Sequence, residues 1–538
     1  MTVAAGPPEQ ALHPVCWWER PWVIALMVLL TAIPLMWPHI APMVDLPGHM
    51  GRYRVQLEIA DAPELQHFYT FRWQLIANLG IDLLVEVLAP ILGLELAVKL
   101  IVLAIPALMV LGLLLVAREV HGRLPPTAFF AVPFAYNFPF WFGFVNFALS
   151  MSLSLIAFYW WLRLGHQNKL RLRAIIFVPL SCALWVVHAF GWGTLGVLAF
   201  SAELVRQYDL GQKSRLGLGV VKAGWRAGIQ CLSLVPPMAL MLLWRSQSGG
   251  QTGDFFDWGF KYDWVRMVLR DRWELFDVVS LVLCLIVMAV ALVTRWLTFS
   301  RNLAASTFFL AIAYLLLPRI LFGSAYADMR LAPYIFAIGL IAIRAPESIK
   351  PRLAQGLALA GLAFVLVRTT ATTVSTTIYD DTYTQELAAL DHVPVGARLV
   401  SFVGRPCTED WAMSRLLHMP AMAVVRRHAF SNDQWTMEGA QLLHVRYQAG
   451  WPFNRDPTEV VTQHFCQREV WRTIDDALAR FPRDAFDYVW LIQPPPYDPD
   501  MVKGLRPVWR SGSSVVYQVV DRASPERAAG PGLGPDLE

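Results

Sequence analysis

The run Val44-Asp45-Leu46-Pro47-Gly48-His49-Met50-Gly51-Arg52-Tyr53-Arg54 follows directly on an apolar block. It puts one carboxylate, one imidazole and two guanidiniums at the edge of that block. A carboxylate takes the proton of an acceptor hydroxyl or amine. An arginine holds a phosphate through paired hydrogen bonds. Moving a sugar off a phospholipid carrier requires both jobs. A plainer reading fits the same residues: Asp45, with Pro47 two positions on, caps a helix start. His49 and Arg52 then lie three apart on one solvated face.

Further along, Trp73-Gln74-Leu75-Ile76-Ala77-Asn78-Leu79-Gly80-Ile81-Asp82-Leu83-Leu84 has the period of an amphipathic helix lying on a membrane. Asp82 and Glu86 fall on one face of it, as a second acid pair or a solvated edge. His188 sits in the tight turn Val187-His188-Ala189-Phe190-Gly191-Trp192-Gly193, where a lone histidine is more often structural. Arg319, Asp328 and Arg330 cluster in Leu317-Pro318-Arg319 and Ala327-Asp328-Met329-Arg330-Leu331-Ala332-Pro333. They read as a phosphate clamp or as arginines snorkelling from helix ends. The aromatic stretch from Asn137 to Asn146 fits an interfacial belt or the wall of a lipid-tail groove. Residues 245–276 carry Asp254, Asp257, Lys261, Asp263, Arg266, Arg270 and Asp271 after a glycine-rich start, which fits a cover over substrate or a solvated connector.

The elements that position these groups are read from composition. The 538 residues are 56% hydrophobic and 16% charged, whereas a soluble chain carries about 25% charged residues. Apolar blocks recur over 21–40, 96–117, 127–143, 144–162, 174–188, 190–205, 227–244, 277–294, 303–318, 331–346 and 353–370. They predict an α-helical polytopic membrane bundle of about 11 spans. The stretch 174–205 also reads as one long helix, which would reverse the parity after it. Arg118, Arg123, Arg163, Lys169, Arg171, Arg173, Arg206, Lys213, Arg215, Lys222, Arg226, Arg295, Arg301, Arg344, Lys350 and Arg352 gather in alternate turns. By the positive-inside rule they place residues 1–20 in the cytoplasm and loop 41–94 outside. The dispersed basic residues and net charge of +4 do not form a nucleic-acid surface.

After residue 370 no block could span. Strand-like runs at 397–403, 487–492 and 514–520, with helical patterns at 381–391 and 471–481, predict a small C-terminal α/β extracytoplasmic domain over 379–522. The Pro/Gly-rich tail, 523–538, reads as disordered. Of six cysteines, Cys407 and Cys466 alone fall in that domain, so they are the disulfide candidates. No phosphate-binding loop, dinucleotide fingerprint, nucleophile elbow or Cys/His metal cluster is present. That disfavours an ATP-driven pump and a nucleotide-sugar enzyme.

A first helix, an outside loop opening on an acid, then juxtamembrane helices before a polytopic bundle resembles the GT-C superfamily of membrane glycosyltransferases. The runs Asp45-Leu46-Pro47-Gly48-His49 and Asn78-Leu79-Gly80-Ile81-Asp82 carry the resemblance, which covers most of the chain in architecture but few residues in motif. It implies a polyprenyl-phosphate-sugar donor and a glycan, lipid or protein acceptor in a bacterial inner membrane, with the C-terminal domain periplasmic or extracellular. It implies Asp45 as the catalytic residue and a late-loop basic residue, Arg319 or Arg330, against the carrier phosphate; His49, Arg52, Asp82, His188 and Asp328 join them as substrate-binding candidates on the residue reading above. Many members have two adjacent acids where this chain has Asp45-Leu46, which leaves metal dependence open. The sequence names no metal ligand and no certain cofactor. Two other functions fit less well: a transporter or flippase of lipid-linked glycans, which should show charges within spans, and a non-catalytic membrane scaffold.

Overall fold

The computed structural model describes residues 15–211, 216–245, 252–321, 323–346, 348–437, 439–467 and 471–523. The expectations for the tail, for Lys213 and Arg215, and for Gly249-Gly250-Gln251 lie outside these residues. Helix α1 (Pro21–Ala32) tightens into a 3-10 turn, Ile33–Leu35, at Pro34. The following loop holds α2 (Leu46–Glu58), strand β1 (Tyr69–Phe71) and α3 (Gly80–Leu92). The bundle continues with α4 (Leu94–His121), α5 (Val145–His166), α6 (Leu170–Val187) and α7 (Ala189–Leu210). Its later part contains α8 (Glu274–Val293), α9 (Arg301–Leu316), α10 (Ala332–Ile341) and α11 (Pro351–Leu387).

Among the described residues, five helices are long and apolar enough to cross a bilayer: α4, α5, α6, α8 and α11. Several expected spans take another form, for local reasons. Block 127–143 breaks at Asn137, whose extended backbone separates a 3-10 helix, Ala128–Tyr136, from the short helix Phe138–Phe142. Block 227–244 divides into Leu216–Gln230, a 3-10 turn and Pro237–Arg245. Helix α10 has ten residues, and the chain then pairs Ile343–Arg344 with Thr298–Phe299. The stretch 174–205 is two helices, parted at His188, whose φ of −172° and ψ of 135° are extended.

The C-terminal part is built on β2 (Leu399–Gly404), α12 (Met422–Arg427), β3 (Leu443–Val445), β4 (Val460–Thr462), β5 (Arg472–Thr473), β6 (Tyr488–Ile492), β7 (Leu505–Ser511) and β8 (Ser514–Val519). Six strands form one sheet in the order β5-β4-β2-β6-β8-β7. Its first four strands run parallel, with Val400 opposite Val489, and β8 returns antiparallel, with Val516 opposite Trp490. The central strands are almost wholly buried, as expected where both faces are covered.

This part is joined to the helices in four ways. Helix α11 runs unbroken through the expected boundary at 379, and its 37 residues reach about 55 Å. Strand β1 pairs antiparallel with β3, Tyr69 opposite Val445. Val55, Leu65, Phe68 and Tyr69 from the first loop share one apolar core with Phe402 and Leu491 of the sheet and with Phe430 beside it. A polar clamp completes the join. Arg368 of α11 binds Asp277 of α8 at 2.6 Å, and Arg415 binds Asp271 at 2.6 Å, all four side chains buried. Arg270 donates to the carbonyls of Trp411 and Asp410. From Trp258 on, the segment expected as a cover or connector is therefore pinned between the two parts. Cys407 and Cys466 form a disulfide.

Candidate functional site

Asp45 occupies the N-cap position of α2, but its side chain makes no capping bond. Its backbone is held instead by the chain at 141–143, with Asp45 N–H donating to the Phe142 carbonyl at 3.0 Å. Gly143 makes that approach possible. It has a φ of +103°, and a Cβ there would stand 2.7 Å from the Asp45 nitrogen. The carboxylate is thus freed from local work and faces a cavity of about 300 Å³.

The other walls come from far along the chain. His49, one turn into α2, stands edge-on to Trp435 with ring centres 5.6 Å apart. Trp435 also lies against His418 at 4.7 Å. Gly48 lets this indole in, because a Cβ would meet the ring at 2.6 Å. His418 Nε2 is 3.9 Å from Asp45 Oδ1, and Asp456 completes that side. Asn146 Nδ2 binds the Asn78 carbonyl at 3.0 Å, and its Oδ1 accepts from Ile81 N–H at 2.6 Å, fixing the start of α3 against α5.

Burial dominates the electrostatics. It pushes the Asp45 carboxyl up to about 8, Asp456 adds to the rise, and Arg330 opposes it. Burial, then the charges of Arg52 and His418, lowers His49 well below its ordinary value. Burial likewise lowers His418, against the pull of Asp456. Both imidazoles therefore rest neutral and can accept a proton or a metal ion.

Arg330 lies at the opposite wall and is 7% exposed. Its guanidinium sits 4.1 Å above the Phe144 ring and 5.7 Å from Phe190. Its Nε has no hydrogen-bond partner, and among the described residues no carboxylate forms an ion pair with it. Burial lowers Arg330 to about 10, so it stays charged. Beyond it opens a second, mostly apolar cavity of about 330 Å³, lined by Trp192, Val197, Met241, Trp244, Leu310 and Leu317 among others. Asn78, His188, Ser324, Arg330 and Ala440 line both spaces. His188 accepts the Phe190 N–H at Nδ1, capping α7, which leaves Nε2 to carry the ring proton.

Of the residues singled out in the sequence, Asp45, His49, His188 and Arg330 line the polar cavity. The other four do not. Arg52 is consumed by Asp82 in a buried pair at 3.0 Å, so neither side chain is free for a ligand. Asp82 also takes a bond from Asn146 at 3.2 Å, and Glu86 accepts from Gln56 at 2.7 Å, tying α2 and α3 together. Asp328 pairs with Lys261 at 3.2 Å, while that lysine also caps the end of α9 through the carbonyls of Tyr314 and Leu317. Arg319 stacks 3.9 Å over Phe260, away from both spaces. Sequence reasoning missed His418, Trp435 and Asp456, some four hundred residues beyond their neighbours in space. The one signal for them was indirect: Gly48 and Gly51, three apart in a helix, mark a face something else must approach closely. No protein-family model, curated protein or solved structure matches this chain.

Proposed function

We propose that the chain is a membrane glycosyltransferase that moves a sugar from a polyprenyl-phosphate carrier to an acceptor glycan, lipid or protein. The observation that carries this reading is Arg330: a buried cation without an ion-pair partner among the described residues, at the wall between a polar cavity and an apolar groove. A lipid phosphate has the matching halves. Its tail suits the groove, its phosphate neutralises the guanidinium, and its sugar falls toward Asp45 and His49. Among the described residues, long apolar helices accompany this site. A sheet outside the inner membrane suits the positive-inside pattern of the basic turns and the disulfide the sheet part carries.

The chemistry follows from the positions. The acceptor oxygen or nitrogen forms a bond to the sugar's anomeric carbon. The carbon–oxygen bond to phosphate breaks, and its electron pair leaves with the phosphate. Arg330 stabilises that departing charge from a buried position. Asp45 takes the acceptor's proton in its ionised form, whose share grows as pH rises toward about 8, with His49 and His418 ranged along the same wall. The groove holds the tail, so binding energy remote from the reaction orients the sugar.

Transfer of radiolabelled sugar from polyprenyl-phosphate donors to membrane extracts tests this. Asp45→Asn, in protein that still folds and inserts, should lower transfer by about 100-fold or more. Equal transfer by wild type and variant would remove Asp45 from the mechanism. No transfer by either, across a broad donor panel, would shift the assignment to transport of lipid-linked glycans.

A further inference from the structure

One side-chain cluster on the cavity wall is left unexplained by transfer chemistry. His418, Asp456 and Glu459 each present a ligand atom, all within 4.8 Å of one another. Glu459 is fully buried, yet neither of its carboxylate oxygens receives a hydrogen bond. His418 Nδ1 is also buried and unpartnered. Asp433, close behind, differs: it accepts from Ala421 N–H at 2.9 Å and from the Ser431 hydroxyl at 3.1 Å, so it is already satisfied. Buried carboxylates are ordinarily paired or bound to a metal. Here two acids and an imidazole converge, with the single ring N–H of His418 the one donor the three bring in their ordinary ionised and neutral forms.

We propose that His418, Asp456 and Glu459 bind a divalent first-row cation of the Mn2+ or Zn2+ kind. One imidazole with two carboxylates suits these ions better than Mg2+ or Ca2+, which prefer all-oxygen shells. Bonds of about 2.1 Å would draw the ligand atoms to roughly 3–3.5 Å apart. The side chains need move only about an ångström to reach that spacing. His418 and Asp456 line the cavity while Glu459 lies behind them, so the remaining coordination positions face the cavity. The cation would neutralise the acids that crowd Asp45. The proposal stands apart from sugar transfer, because a cation would bind these residues whatever the cavity holds.

The alternative is an acid pair that shares a proton and binds nothing. Full-length protein, purified in detergent and stripped by chelator, is titrated with Mn2+ and with Zn2+ by calorimetry. The expected result is one bound equivalent, weakened about tenfold or more in both Glu459→Gln and His418→Gln. The electron spin echo of bound Mn2+ in the wild type should show coupling to a single imidazole nitrogen, a reading that needs no variant to fold. Failure of the wild type to bind either ion at millimolar concentration, unchanged affinity in both variants, or bound Mn2+ without nitrogen coupling would each overturn the site.

Discussion

Two arginines in this chain look alike in sequence and differ in the fold. Arg52 and Arg330 each lie within a few residues of an aspartate that borders an apolar segment. Arg52 is buried against Asp82 and bound to it at 3.0 Å; Arg330 is buried with aromatic rings and, among the described residues, forms no ion pair, Asp45 acting on it only across the cavity. The first is a closed pair and the second an open charge, so only the second has a reason to bind an anion. Breaking a closed buried pair costs about 3–5 kcal/mol, because one charge stays behind unpaired. Asp82→Asn should therefore lower unfolding stability by about that amount in a detergent melt. The double change Arg52→Met with Asp82→Leu should recover most of it. Stability unchanged in Asp82→Asn, with weakened donor binding in Arg52→Gln, would return Arg52 to the site. Partner choice of this kind is not written in local sequence: Asp82 is thirty residues from Arg52, and nothing in the spacing says which acid an arginine will meet.

At the scale of elements, the turn at 141–143 sets the position of Asp45. A residue with a side chain at Gly143 would have to hold a φ of +103° and would push on Asp45. Gly143→Ala should cost about 1–2 kcal/mol of stability and reduce transfer beyond what that loss explains, read by comparing melts with initial rates. In the sheet, Arg398 and Asp487 tie the starts of β2 and β6 together through paired hydrogen bonds. Burial alone would raise Asp487, but bonds from Arg398 and Arg522 outweigh it and hold the carboxyl at about 2, below its ordinary 3.8. The sign follows: stability from this pair is fully present above pH 3.8 and is lost as pH falls through about 2. Asp487→Asn should melt earlier than wild type at neutral pH, and the two should converge in acid. A constant gap between them down to pH 2 would contradict the assignment. The long apolar blocks and the three sheet strands were legible because each pattern is local and repeats with the period of its element. The early end of α10, where the chain pairs with Thr298–Phe299, and the pairing of β1 with β3 were not, because each depends on a partner distant in the chain; the break at Asn137 rests on a local cap that the apolar run around it masked.

At the scale of the whole molecule, the cavity is a joint product. Bundle and first loop supply Asp45, His49 and Arg330, and the C-terminal part supplies His418, Trp435 and Asp456. Sequence patterning singled out the first three and not the second, whose residues lie in a stretch of weak periodicity between β2 and β4. The basic turns predict a membrane orientation. In intact cells, an impermeant thiol reagent should label Asp500→Cys, in the sheet part, and spare Lys169→Cys, in the turn between α5 and α6. The reverse pattern would invert the topology. The central claim is that Arg330 receives the phosphate of a lipid whose tail fills the adjoining groove. It is tested most directly by comparing the binding of a short polyprenyl phosphate with that of its parent alcohol, in wild type and in Arg330→Gln. A charged hydrogen-bonded contact predicts that the wild type binds the phosphate about 10- to 100-fold more tightly than the alcohol and that Arg330→Gln abolishes the difference. Equal affinity for the two lipids, or a preference that survives in Arg330→Gln, would contradict it.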